Sequence, residues 1–348
     1  MSFSDRILGR KPVNGVPRIE SVVPACALGG GEIRITGSGL RPQQLLQPKV
    51  KFGDTEASIV VSSDAFVVTR VPEGAATGSV VVATDGHVSN PFVVKVAVPI
   101  ADNLHPVTSP ALDAEGNIYV TFSGSRGQKV PVAVFKIDTN YAMKPFVTDL
   151  MNATSIAFDS KGQMYVSSRY DGAVYRVAPH GAMSTYAEGM GIATGIAFDR
   201  EESLYVGDRN GTIFKISRDQ QVFVFATLEP SLSAYHLAFG PRGDLFVTGP
   251  NDRVFRIDPN GSVSTFYKGL GRPQGLAFDA DGNLYVAASL SGTRGIVKLT
   301  PEAKASLEVA GQGLVGLAFA PGRSVVLTTT SAVHHLSWNI QGLRLVPE

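Results

Sequence analysis

The chain has 348 residues, 44% of them apolar and 18% charged, and a formal net charge of +1. That balance excludes a disordered polyelectrolyte and argues against a basic nucleic-acid-binding protein, and no run approaches the roughly 18 apolar residues of a membrane-spanning helix, so no membrane insertion is expected. The single cysteine, Cys26, excludes an intrachain disulfide and a cysteine-rich metal cluster, and it reads as a small apolar residue of the first domain.

Residues 1–16 form an N-terminal tail. MSFSDRILGRKPVNG is charged and lacks the apolar core of a secretory signal, which predicts a cytoplasmic protein. Residues 17–98 read as seven short strands: SVVP, EIRITG, KVKFG, ASIVVS, AFVVTRV, GSVVVATDG and FVVKV. Apolar and polar residues alternate in them, and Gly, Pro and Asp punctuate. Seven strands in about 80 residues predict a β-sandwich. Gly29–Gly31 supplies a turn before a strand, and Gly37 and Gly39 are expected to adopt positive φ where that strand ends. The stretch PRIESVVPACALGGGEIRITGSGL, followed by VKFG, VTRVPEGAATGSVVV and FVVKV, resembles an IPT/TIG domain, an immunoglobulin-like sandwich. The resemblance implies a spacer or interaction module, of a kind often found outside cells.

A short linker near 97–106, with Pro99 and Pro106, leads into a repeat. The segments TSPALD, TSIAFD, TGIAFD, YHLAFG, QGLAFD and VGLAFA align on Leu112, Phe158, Phe198, Phe239, Phe278 and Phe319, at spacings of 46, 40, 41, 39 and 41. A period near 40 with several strands per unit predicts a propeller. Each unit carries four strands. A is IAFD or LAFD. B runs NIYVT, QMYVS, SLYVG, DLFVT, NLYVA and SVVLT. C runs VFKID, VYRVA, IFKIS, VFRID, IVKLT and VHHLS. D runs KPFVT, MSTYA, VFVFA, VSTFY, SLEVA and LRLVP. The A–B turns, such as DADGN and DSKGQ, suit tight hairpins. The fold class is therefore all-β: a six-bladed β-propeller over 103–348 preceded by a small immunoglobulin-like β-sandwich. With LRLVP as the last D strand, no strand from the N-terminal side is needed to close the ring.

The motif P-x-G-L-A-F-D-x-x-G-N-L-Y-V-A resembles NHL repeats and the propeller of the gluconolactonase-like, senescence-marker-protein family. Strand A starts at one face of the disc and B returns to it, so the D–A and B–C loops share one mouth, and the resemblance implies that several mouth positions would bear Asn, Asp or Glu ligands for a divalent cation. The corresponding positions here, four residues before each anchor, are Thr108, Thr154, Thr194, Tyr235, Gln274 and Val315. None is a carboxylate, and Gln274 offers one amide oxygen where a hard cation prefers charged ones. No cofactor is expected; a divalent cation such as calcium enters only with a lactonase-type hydrolase.

The mouth candidates are Tyr235, His236, Gln274, Asp208, Arg209, Arg169, Tyr170, Asn251 and Arg272, with Arg126, Asp171, Asp252 and Arg294 on neighbouring B–C loops. Arginines around a funnel recognise carboxylates or phosphates. GQGLVG at 311–316 matches a dinucleotide fingerprint, but a strand follows it where a helix is required. DADGN at 279–283 lacks the ligand spacing of a calcium loop. His334 and His335 are adjacent and point to opposite faces of a strand. The expected function is a non-enzymatic binding or interaction scaffold for a small polar ligand or a protein segment. The alternative is a gluconolactonase-like hydrolase with a non-standard site.

Overall fold

The computed structural model describes residues 16–42, 47–125 and 127–344. The tail through residue 15 and Arg126 lie outside the described residues. The chain divides into two compact units, 1–96 and 97–348.

The first unit is built of strands in two sheets. One has the order Arg18–Val23, Glu32–Ser38, Phe66–Arg70, Ile59–Ser62. In the other, Cys26–Ala27, Phe92–Val96, Gly78–Thr84, Lys49–Phe52 and Thr55–Ala57 follow one another, and His87–Val88 pairs with Gly78–Thr84. Alternation decides which side chains turn inward. Ile33 and Ile35 are fully buried on either side of exposed Arg34, and they share the core with Val67, Val80, Val82 and Val94. The strands Cys26–Ala27, Thr55–Ala57 and His87–Val88 escaped the pattern reading because two or three residues carry too little alternation to recognise. Cys26 is buried. Gly39 has φ 65°, as expected, but Gly37 is not left-handed. Its reason is steric: a Cβ there would lie 1.9 Å from the carbonyl oxygen of Arg18 on the paired strand.

The second unit contains six blades, each of four strands paired antiparallel one to the next. Blade 1 is Ala111–Leu112, Ile118–Thr121, Val134–Ile137 and Met143–Val147, named A to D in that order. Blade 2 is Ala153–Phe158, Met164–Ser168, Ala173–Val177 and Met183–Ala187; blade 3 is Ala193–Phe198, Leu204–Asp208, Thr212–Ile216 and Val222–Thr227. Blade 4 is His236–Phe239, Leu245–Thr248, Arg253–Ile257 and Val263–Lys268; blade 5 is Leu276–Phe278, Leu284–Leu290, Thr293–Leu299 and Ala305–Ala310. Each A strand touches the next, and that of blade 6 touches that of blade 1, so the ring is closed.

Two repeated devices hold the blades. An aromatic residue of strand B packs edge-on against the anchor phenylalanine of the next blade: Tyr119 on Phe158, Tyr165 on Phe198, Tyr205 on Phe239, Phe246 on Phe278 and Tyr285 on Phe319, with ring centroids 4.9–5.4 Å apart. In blades 1, 2, 3 and 5 the aspartate after the anchor ties the hairpin. In blade 5, Asp279 accepts the backbone N–H of Asn283 at 2.8 Å with one oxygen and the Tyr285 hydroxyl at 3.1 Å with the other. DADGN is thus a closed hairpin turn whose carboxylate is already committed.

Blade 6 corrects one expectation. Its strands A to C are Leu314–Ala320, Ser324–Thr329 and Val333–Ser337, but its outer strand is Val98–Ala101, which pairs with Val333–Ser337. The supposed linker therefore closes the ring. Leu343 and Arg344 of LRLVP belong to no strand, and residues 345–347 lie outside the described residues. The period alone could not distinguish the two solutions, because an apolar strand on either side of the repeat satisfies the same count. Pro99, which has no N–H, suits the outermost position of a blade.

Candidate functional site: the two ends of the propeller axis

Strand direction puts the D–A and B–C loops at one end of the axis and the A–B turns at the other. At the first end, hydroxyls that close strand B bond to carbonyls of the neighbouring blade. Thr121 donates to the carbonyl of Thr154 at 3.4 Å, Ser167 to that of Thr194, Thr248 to that of Gln274, and Thr328 to that of Thr108 at 3.1 Å. The last bond joins blade 6 to blade 1. Blade 3 has Gly207 at this position, where a Cβ would sit 2.8 Å from that of Tyr235. The missing side chain is the space Tyr235 occupies.

Tyr235 is consequently fully buried, and its hydroxyl donates to the carbonyl of Glu229. Burial first, then the charges of Asp208 and Glu229, push its phenol up to about 12. Asp208 is 4% exposed, and its Oδ1 accepts the N–H groups of Ile192 at 2.8 Å and Asn210 at 3.2 Å. It holds a loop in shape. Arg209 donates to the carbonyls of Ser231 (3.2 Å) and Leu232, Arg169 to that of Gly124 (2.7 Å), and Asn251 to the carboxylate of Glu229 at 2.9 Å. Tyr170 is exposed and packs beside Gly127.

The structure brings His236, Gln274, Arg272 and Arg294 together. Arg294 donates to the side-chain oxygen of Gln274 and to the carbonyls of Arg272 (2.8 Å) and Leu314 (3.1 Å through Nε). Burial, then the charge of Arg272, lowers its guanidinium to about 10, so it stays charged at neutral pH. His236 is 5% exposed on strand A of blade 4. Burial, then Arg294, lowers its imidazole to about 4 and keeps it neutral. The layer around it is crowded: a Cβ on Gly195 would lie 3.0 Å from the His236 Cα, and one on Gly275 would lie 2.6 Å from the Gly316 Cα. Arg272 has φ 46°, an uncommon conformation for a residue with a side chain. The amide oxygen of Gln274, which sequence offered as a metal ligand, is taken by a cation. Among the described residues no group of three His, Cys, Asp or Glu side chains is placed to hold a metal ion.

The A–B end holds a cavity of about 890 Å³ that sequence reasoning missed. Ala157, Ala197, Ala238, Ala277 and Ala318 line it together with the anchor phenylalanines. Segment 341–344 forms a strap along one wall: Ala280 donates to the carbonyl of Gln341 at 2.8 Å, and Leu343 donates to that of Phe278 at 2.9 Å. The signal for this cavity is the regular alanine of strand A.

No curated protein matches the sequence. Among solved structures, an auxiliary nutrient binding protein from Bacteroides ovatus is similar at 13% identity and TM-score 0.56, over 93% of this chain and 98% of that one. A protein provisionally described as a gluconolactonase is similar at 18% identity and TM-score 0.59, over 71% of this chain and 93% of that one. Virginiamycin B lyase from Staphylococcus aureus is similar at 14% identity and TM-score 0.52, over 83% of this chain and 99% of that one. At such identities the likeness speaks for fold alone. Among the described residues no helix is long and apolar enough to cross a membrane. Residues 17–96 match the IPT/TIG domain family, and the chain as a whole is an IPT/TIG domain followed by a propeller of the fold found in gluconolactonase-like and virginiamycin B lyase structures.

Proposed function

We propose that the chain is a non-enzymatic binding scaffold whose mouth receives a small polar ligand carrying a carboxylate or phosphate. One observation carries the reading: Arg294 reaches the backbone carbonyl of Arg272 at 2.8 Å, and neither guanidinium forms an ion pair among the described residues. A cationic pair without a carboxylate attracts an anion. The same pair repels a divalent cation, and the Asp208 carboxylate is held by backbone N–H groups. The description of the Bacteroides ovatus neighbour as a nutrient binding protein fits binding rather than turnover. The gluconolactonase-like alternative requires hard oxygen ligands at this end, and Gln274 is occupied.

Thermal-shift titrations distinguish the two. Phosphate, citrate and gluconate are expected to raise the melting temperature saturably, because a ligand of the folded state stabilises it by mass action. Arg272→Ala abolishes the effect. A saturable rise with calcium, manganese, magnesium or zinc, and none with the anions, overturns the reading in favour of the hydrolase.

A further inference from the structure

The cavity at the A–B end does not include the mouth candidates: its lining includes Ser109 and the alanine layer but neither His236 nor Gln274. Its volume of about 890 Å³ falls in the range of small-molecule sites. The walls are methyl groups and phenyl rings, which offer a dehydrated apolar body a favourable surface. The charged groups sit on the A–B turns and the strap. Four carboxylates line it, from Asp113, Asp159, Asp199 and Glu202, against the single guanidinium of Arg344 on the strap. Lys136 and Lys215 offset Asp113 and Asp199, at 3.9 and 3.7 Å. Asp159 and Glu202 have no ion pair among the described residues.

Glu202 departs from the repeat. The same place in four of the other A–B turns is Gly116, Gly162, Gly243 and Gly282, left-handed with φ of 75–85°, and in the blade 6 turn it is Arg323, left-handed at φ 57°. Glu202 keeps that conformation, at φ 66°, despite its side chain. A left-handed residue that is not glycine is strained, and such strain clusters at binding sites. Its carboxylate caps the N–H of Ser160 in the neighbouring turn at 3.3 Å and borders the cavity.

We propose that this cavity is a second binding site, for a compact apolar ring system carrying a positive charge, with the ring among the alanines and phenylalanines and the charge at Glu202 and Asp159. The site is independent of the mouth and does not rest on the function proposed there.

Three probes share one ring and differ in charge: 1-naphthylmethylammonium, 1-naphthylmethanol and 1-naphthylacetate. Binding to the full chain is followed by naphthyl fluorescence. The cation is expected to bind most tightly, roughly fivefold above the neutral alcohol, and the anion least. Glu202→Gly brings the cation down to the affinity of the alcohol and leaves the alcohol unchanged. Ala238→Leu fills the cavity and abolishes binding of all three, with its fold checked by circular dichroism. Arg272→Ala changes none of the affinities. The proposal is overturned by absence of saturable binding, by an anion preference, by a cation preference that survives Glu202→Gly, by undiminished binding to folded Ala238→Leu, or by loss of binding in Arg272→Ala. Should Ala238→Leu not fold, the Glu202→Gly comparison decides alone.

Discussion

The guanidinium of Arg294 donates to the side-chain oxygen of Gln274 while its remaining N–H groups serve the carbonyls of Gly271, Arg272 and Leu314. One side chain thus fastens the loop before strand A of blade 5 to the start of blade 6. Replacing it by methionine keeps much of the volume and removes every donor. Arg294→Met is expected to lower stability by about 2–3 kcal/mol, since several partly buried carbonyls lose their partners at once. Equilibrium urea unfolding measures this, and a loss below about 0.5 kcal/mol refutes the keystone role.

His236 gives a pH signature. Its imidazole is held at about 4 by burial and Arg294, against 6.5 for an ordinary histidine. Between those values the unfolded chain binds the proton and the folded chain does not, so stability rises with pH. The contribution is fully present above about 6.5, falls as pH drops, and is lost entirely below 4; the total is on the order of 3 kcal/mol. Urea unfolding from pH 4 to 7 is expected to show a steeper dependence for the wild type than for His236→Gln. Parallel curves contradict the burial argument, as does an NMR midpoint for His236 near 6.5.

Glu202 carries a stability prediction separate from its binding role. Introducing the glycine that four of the other turns carry relieves a left-handed side chain and is expected to raise stability by about 1 kcal/mol, read as a higher midpoint in urea at unchanged slope. A destabilised Glu202→Gly would mean that the bond to Ser160 outweighs the strain.

The closing strand predicts a length threshold. A fragment beginning at Ala97 retains Val98–Ala101 and can complete blade 6, whereas one beginning at Asn103 exposes the edge of Val333–Ser337. The shorter fragment is expected to melt roughly 5–10 °C lower and to aggregate more readily through that edge. Equal melting temperatures would show that the pairing adds nothing to the ring.

Asp279 tests the repeated turn. Asp279→Ala leaves the buried Tyr285 hydroxyl and the N–H of Asn283 without an acceptor. A cost of about 2–4 kcal/mol is expected, and Asp279→Asn, which keeps one acceptor, is expected to recover part of it. Calorimetric melting of the two variants against wild type provides the comparison.

Much of the fold was legible before any coordinate. The phenylalanine anchors recur at a propeller's period, and Ile33 and Ile35 alternate with Arg34 as a half-buried strand must. The site was less legible. Tyr235 and Asp208 were read as mouth groups from their place in the repeat, but which neighbour each meets depends on blades distant in sequence. Gln274 was read as an oxygen donor open to a ligand, and its captor, Arg294, follows a whole hairpin later.

Periodicity and turn chemistry are local, so the sequence by itself determined most of the strands, the number of blades and the identity of the first domain. Closure of the ring is not local. Val98–Ala101 and Val333–Ser337 are separated by more than two hundred residues, and only the tertiary structure decided that they pair. The same holds for the cavity: one alanine in strand A is unremarkable, but blades arranged around an axis gather a repeated small side chain into the wall of one cavity, and they bring Glu202 to its edge.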